Sequence, residues 1–326
     1  MGRAARLLVA TGACAFAAVV LGVLTGSAGF GFATPEIVWQ IRVPRVLAGF
    51  GAGAALALAG ALMQLLTRNA LADPYVLGVS GGASVGALGL MFVAALGGAV
   101  APGWAITLGS AAGAAVAALL LVVLAWRAVS GVTAVQEGSV ALLLIGVMIG
   151  SGCSALISLM LALAPEAPLR GMVFWLLGDL NGATQWAAVW LAVAAALALT
   201  WPSARELDWL ARGDAWAATL GVPVARRRRT VLAAAALATG AAVATAGAIG
   251  FVGLVVPHAL RRIGLRDAVA LLPASALAGG GFVVMADAVA RSIVAPIQLP
   301  VGVVAAAVGV PAFVALLLRG ARAGLR

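Results

Sequence analysis

The chain contains no lysine; all 20 of its basic residues are arginine. A Walker-type phosphate loop needs its lysine, so the chain is not itself an ATPase. Schiff-base chemistry, which needs a lysine amine, is excluded as well. There is one histidine, His258, which rules out multi-histidine zinc sites and the H-E-x-x-H motif. The two cysteines, Cys14 and Cys153, lie in apolar runs and supply no disulfide framework. No catalytic residue, metal ligand or cofactor site is therefore expected. Charged residues make up only 9%, against about 25% in a soluble domain. So few charges cannot solvate a globular surface, and disorder needs more charge still.

What is present is apolar. Of 326 residues, 64% are hydrophobic, and the mean hydropathy is +1.16. The fold class expected is an all-α polytopic membrane protein. Eight stretches carry no Asp, Glu, Lys or Arg: 7–35, 46–67, 74–126, 138–165, 180–204, 230–260, 268–286 and 292–318. The run 74–126 is broken at Gly97, Gly98, Pro102 and Gly103 and crosses twice. The run 230–260 lies between Arg226–Arg229 and the group Arg261, Arg262 and Arg266. Both arginine clusters should be cytoplasmic, so this run must go out and return as two short pieces broken around Gly247 to Gly253. Broken backbone at membrane depth is tolerated only where protein buries it or where it lines a cavity. Residues 245–260, with Gly247, Gly250, Gly253 and Pro257, are thus the candidate translocation pathway. The total is ten spans in one permease-like domain, 1–326, with both termini cytoplasmic.

The charge distribution fits that topology. Sixteen of the 20 arginines fall on the cytoplasmic side, leaving Arg42, Arg45, Arg170 and Arg291 outside. The net charge of +10 is therefore read as topology rather than nucleic-acid binding. Arg3 and Arg6 before an apolar core also fit a signal peptide, but the apolar run is too long for one and nine more spans follow.

Glycines recur every four residues at Gly78, Gly82 and Gly86, at Gly109 and Gly113, and at Gly146 and Gly150. That spacing lets helices approach closely. Carriers driven by protons or sodium usually hold acids mid-membrane, and none lies inside these runs. Asp287 and Arg291 are four apart and read as a structural pair near the outer surface. Asp179 reads as interfacial. His258 reads as a helix-end or packing residue. The longest hydrophilic stretch, 202–229, is cytoplasmic. Within it Asp214 is expected to cap a short helix that stops at Leu220-Gly221, and Pro223 forbids continuation. Such a helix reads as a docking element. Arg226–Arg229 reads either as part of it or as an anchor on anionic lipid.

Several motifs, taken in order, resemble the iron-chelate and cobalamin uptake permeases, the membrane subunits of type II ABC importers. They begin with Val38-Trp-Gln-Ile-Arg42-Val-Pro44-Arg45 and Gly51 to Gly60 with Gln64. Next come Arg68-Asn69-Ala70-Leu71-Ala72-Asp73-Pro74, Leu77-Gly78-Val-Ser80-Gly-Gly82, and Gly247-Ala-Ile-Gly-Phe251-Val-Gly253 to Pro257-His258. The set ends with Leu272-Pro273, Asp287, Arg291, Leu299-Pro300-Val-Gly302 and Gly309-Val-Pro311.

The resemblance implies ten spans per subunit, a homodimer in the bilayer of a bacterial inner membrane, two separate ATPase subunits below and a periplasmic binding protein above. It places Arg42, Arg45 and Arg291 against carboxylates of the binding protein. It also places a coupling segment at 210–221, with Leu210, Arg212, Gly213, Asp214, Leu220 and Gly221 meeting the ATPase. Here Arg212-Gly213-Asp214 stands where the family has Leu-Gly-Glu. Asn69-Ala70 stands where it has Asn-Pro, which implies a less rigid loop. The cargo implied is a metal chelate: a ferric siderophore, haem or cobalamin, with iron chelates the most numerous. The rival readings are an ion-coupled carrier or channel, an intramembrane enzyme, and an exporter. The loop 128–138, with Thr133, Gln136 and Glu137, is a gate candidate by position.

Overall fold

One helix, α3 (Val43–Thr67), runs through the middle of the bundle, and the rest of the chain is arranged around it. It is built of Ala, Gly and Leu with Pro44 in its first turn, a place where the missing N–H costs nothing. Its apolar window is 94% buried, against 6% for the corresponding window of the α6 span. Small residues explain how neighbours close on it. A Cβ at Gly53 would overlap the Gly279 carbonyl, and one at Gly60 would overlap that of Gly253. Backbone-to-backbone approach replaces the hydrophobic effect as the packing force in lipid.

The computed structural model describes residues 2–26, 29–30, 34–129, 135–183 and 185–323. The helices before α3 are α1 (Arg3–Leu24) and the short α2 (Pro35–Ile37). After it come α4 (Val79–Leu96), α5 (Gly103–Val129), α6 (Val135–Leu163), α7 (Glu166–Leu176), α8 (Ala187–Thr200), α9 (Ala204–Arg212) and α10 (Asp214–Thr219). The last are α11 (Val224–Ala246), α12 (Val252–Ile263), α13 (Ala268–Ser292) and α14 (Val301–Ala323). Among the described residues eight stretches are long and apolar enough to cross a membrane, against the ten expected; the two that fall short of that measure are α12 and the apolar part of α14, Val301–Leu316.

Helix α13 and the bundle of α1, α8, α11 and α12 wrap α3, while α4, α5 and α6 form a second layer. The four-residue glycine spacing does what it implied. Gly82 and Gly86 of α4 face Gly113 and Gly109 of α5 at backbone contact. Leu108, Val116 and Leu119 of α5 and Phe16 and Val20 of α1 stay exposed, presenting apolar surface to the bilayer.

The structure refines the sequence reading at three points. Helix α11 is a full 23-residue span that includes Arg226–Arg229 in its first turns, so only its return partner α12, with 12 residues, is short. At about 1.5 Å per residue α12 covers roughly 18 Å, well under the ~30 Å hydrocarbon core. The last helix fills only part of the uncharged run 292–318: it begins at Val301, after a non-helical stretch. An additional helix, α7, lies between α6 and α8; its signals were Glu166 after Pro165 and Gly178 at positive φ just beyond its end. Residues 130–134, with Thr133 of the gate candidate, lie outside the described residues, as do the side chains of Gln136 and Glu137.

Candidate functional site

Three places carry the polar chemistry of the bundle. The first surrounds the start of α3. Residues Val38–Arg42 form a π-helical turn leading into it, an irregularity frequent at functional positions. Arg42 donates to the carbonyls of Val23 (3.0 Å) and Leu24 (3.1 Å), where α1 ends and its dipole is negative. Arg45 meets Asp287 of α13 at 2.8 Å and donates to Asn181 Oδ1 (2.8 Å) and Gln298 Oε1 (2.7 Å). Arg291 meets the same Asp287 at 2.9 Å and donates to the carbonyls of Thr25 (2.9 Å) and Gly22 (3.0 Å). Asp287 is 2% exposed. The cluster therefore ties α1, α3, α13 and the loops at 181 and 298 into one cap.

Arg42, Arg45 and Arg291 were expected to face carboxylates of a binding protein; within this chain they are engaged internally. All three are buried and hydrogen-bonded within their own chain, because a cation left unpaired at that depth would cost several kcal/mol. The predicted Asp287–Arg291 pair is present at its i, i+4 spacing. Asp179 sits beside the cluster, half-buried, and accepts from the Asn181 amide. Burial pushes its carboxyl above the usual range, offset by that hydrogen bond and by Arg45.

The second place is the break at 247–251. Helix α11 stops at Ala246, Gly247 takes φ 67°, and Phe251 takes the left-handed φ of 69° before α12 begins. The exposed backbone groups are met by side chains. Tyr75 Oη donates to the Ile249 carbonyl at 2.9 Å. Pro257 has no N–H for the carbonyl four residues earlier; that carbonyl, on Gly253, accepts from Gln64 Nε2 at 3.2 Å, which also reaches Leu254 O at 3.1 Å.

The pathway assignment narrows accordingly. Gly247 is buried against Trp175, Gly253 against Leu56 and Pro74, and Pro257 is buried. Of the four candidates only Gly250 has open space where a side chain would be. Of the two conditions that permit a break at depth, burial in protein applies to the other three. His258 lies edge-on to Phe313 of α14, 5.9 Å between ring centres, a packing contact.

The third place is the hydrophilic stretch. Helices α9 and α10 meet at Gly213, whose φ of 147° favours glycine. Leu210 is buried in the core and cannot be a surface contact, which corrects its assignment. Asp214 does not cap α10: Gly213 holds that position and no side-chain cap is made. Its carboxylate instead bridges Arg68, the residue that ends α3, and Arg228 of α11. Arg68 also donates to Leu210 O at 3.2 Å. Arg227 pairs with Glu206 of α9 at 2.6 Å, so two of the four clustered arginines hold this segment. Leu220 follows α10 and Gly221 turns at φ 79°, the expected stop. Arg212 lies over the Trp216 ring at 5.5 Å; Trp216 and Leu220 are exposed and form an apolar knob.

Sequence reasoning gave no role to Tyr75 or Trp216, named Gln64 and Arg68 only as motif residues, and took Arg228 only as one of the clustered arginines of the hydrophilic stretch. Trp216 was legible as one of two tryptophans, with Trp209, in a hydrophilic stretch. The others act on distant partners, which spacing along the chain does not reveal. In the loop after α3, Asn69 Oδ1 accepts from Leu71 N (2.9 Å) and Asp73 Oδ1 from Tyr75 N (2.8 Å). Burial raises the Asp73 carboxyl above its usual range and the Tyr75 hydrogen bond partly lowers it.

Comparison with known proteins fits this geometry. The FecCD transport family model matches residues 6–319. The vitamin B12 import system permease protein BtuC of Salmonella schwarzengrund is 44% identical over 287 residues, which is 87% of this chain and 84% of that protein. BtuC of Escherichia coli O157:H7 (strain EC4115) is 43% identical over the same shares. Among solved structures, a metal-chelate type ABC transporter in an inward-facing conformation superposes with a TM-score of 0.83 at 24% identity, covering 96% of this chain and 99% of that one. PsaBC from Streptococcus pneumoniae gives 0.54 at 14%, over 86% and 92%. At those identities the two structures speak for the fold. The chain is a multi-pass inner-membrane protein of the type II importer permease fold, and it belongs to the FecCD transport family of ABC importer permeases.

Proposed function

We propose that this chain imports a corrinoid of the vitamin B12 class, working as a homodimer with two ATPase subunits and a periplasmic binding protein. The observation that carries the cargo is the 44% identity over 87% of the chain to vitamin B12 import permeases. It moves the choice away from the iron chelates favoured by numbers alone. ATP chemistry is delegated, in keeping with a chain that has no lysine for a phosphate loop.

In this reading the ends of α3 face opposite sides. The arginine bias sets the Arg45 end outward and both termini in the cytoplasm. Two guanidiniums, those of Arg45 and Arg291, share the Asp287 carboxylate, while Arg42 is held on the carbonyls that end α1, with Asp179 near Arg45. The excess positive charge lies just beneath the outer rim and draws an acidic binding-protein surface to the correct register. Arg42, Arg45 and Arg291 thus serve docking through their field and through the rigidity of the cap. At the cytoplasmic end, the knob formed by Trp216 and Leu220, with Arg212, Gly213 and Gly221 shaping it, fits the ATPase. Closure of the ATPases on ATP moves α9 and α10, the bundle changes its opening, and cargo passes the break near Gly250 into the cytoplasm. Ion-coupled transport has no support from the acids, because Asp287 is locked between two arginines.

The test is uptake in a strain lacking the gene, with and without complementation. Labelled cyanocobalamin, a ferric siderophore and haemin are offered in parallel, with and without vanadate. The expected result is vanadate-sensitive uptake of cyanocobalamin in the complemented strain alone. Uptake of only the iron ligands would overturn the cargo, and vanadate-insensitive uptake would overturn ATP-driven import.

A further inference from the structure

The loop joining α3 to α4 touches two distant parts of the bundle, and neither contact has a role in the reading above. At its start Arg68 closes α3, donates to Leu210 O and pairs with Asp214 at the head of α10. Arg228 holds the other side of the same carboxylate. Seven residues on, Tyr75 donates to the Ile249 carbonyl in the 247–251 break. Between them Asn69 and Asp73 close the loop on its own backbone, and Pro74 packs on Gly253 at the start of α12.

We propose that this loop is a lever: Arg68 and Arg228 position the coupling segment through Asp214, and Tyr75 delivers its movement to the broken backbone at Ile249. The proposal rests on the reading of 210–221 as the ATPase-facing segment, and it gives Asp214 an inward role rather than a contact with the ATPase. The physical basis is continuity. A displacement of α10 pulls directly on the end of α3, and most of the loop between Arg68 and Tyr75 is tied down: Asn69 accepts from the amides of Leu71 and Ala72, Asp73 accepts from that of Tyr75, and Pro74 packs on Gly253. The break is where such a pull can act, because Gly247 and Phe251 already hold the backbone outside the helical region. Arg68 and Tyr75 are positioning residues; they touch neither cargo nor nucleotide.

The test uses the full importer (permease, partner ATPase and binding protein) in proteoliposomes, and reads cyanocobalamin taken up per ATP hydrolysed. Arg68→Ala should lower that ratio roughly tenfold and Tyr75→Phe roughly fivefold, within the usual range of coupling between sites. Arg68→Lys, which keeps the charge, should recover most of the loss. An unchanged ratio in both Arg68→Ala and Tyr75→Phe would overturn the lever. A second variant guards against misfolding. With Cys14 and Cys153 replaced by Ala, the pair Arg68→Cys and Asp214→Cys is joined by a short thiol-reactive linker. The proposal expects the unlinked form to be uncoupled and the linked form to regain coupling. A linked form that stays inactive while the ATPase remains bound would mean that the two must separate, which contradicts it. Failure of the underlying reading looks different: Trp216→Glu, on the exposed face of α10, would then leave uptake per ATP unchanged whatever Arg68 does.

Discussion

The bundle contains two clusters of the same composition, one aspartate held between two arginines, at opposite ends of α3. At the Arg45 end the side chains of Arg45, Asp287 and Arg291 are 9%, 2% and 4% exposed. At the Arg68 end those of Arg68, Asp214 and Arg228 are 36%, 12% and 18% exposed. Both use one carboxylate to join three elements. The difference in solvent decides what each can do. A sealed pair cannot open without stranding a charge, so the first cluster is a rivet. A pair at the water boundary contributes little to stability, so the second can be carried along with a part that moves, its link intact, without the bundle depending on it.

The largest effect expected follows from breaking the rivet. Asp287→Ala leaves Arg45 and Arg291 buried without their carboxylate and should cost about 3–5 kcal/mol, seen as loss of monodisperse protein in detergent. Close behind is Gly60→Leu, whose side chain would occupy the Gly253 backbone; small residues are what allow such contacts. The variant should fail to reach the membrane in folded form, whereas Gly250→Ala, with open space at its Cβ, should fold normally. Gln64→Leu removes the donor to the Gly253 and Leu254 carbonyls. It should destabilise by about 1–3 kcal/mol, the cost of a buried unsatisfied group, measured as a lower melting temperature. The smallest effect on stability belongs to Asp214→Asn, at about 0–1 kcal/mol, and that variant should still lose transport.

Much of this was legible in the sequence. The many-span helical bundle, the break around Gly247 to Gly253, the turn at Gly97 to Gly103, the glycine ridges and the Asp287–Arg291 pair all follow from apolar run length, Gly/Pro placement and i, i+4 spacing. These signals are local. What escaped is long-range. Arg45 reads as an outside arginine from the charge census, but only the fold brings Asp287, 242 residues away, against it. Leu210 reads as part of a hydrophilic docking helix, yet it turns inward to the core. Asp214 has the composition of a helix cap, and two arginines from other elements outcompete the backbone amides for its carboxylate. Gly253 and Pro257 read as a pathway because a broken helix implies either a cavity or a burial site. Gln64 and Pro74, from α3 and its following loop, decide for burial.

The contrast between the two clusters is tested most directly by one paired measurement. Asp287→Asn and Asp214→Asn are purified in the same detergent, melted, and reconstituted with the partner ATPase to read cyanocobalamin uptake per ATP hydrolysed. The account predicts that Asp287→Asn melts well below the parent protein. It also predicts that Asp214→Asn melts with the parent and loses most of its uptake per ATP. Equal loss of melting temperature in both, or full coupling in Asp214→Asn, would contradict it.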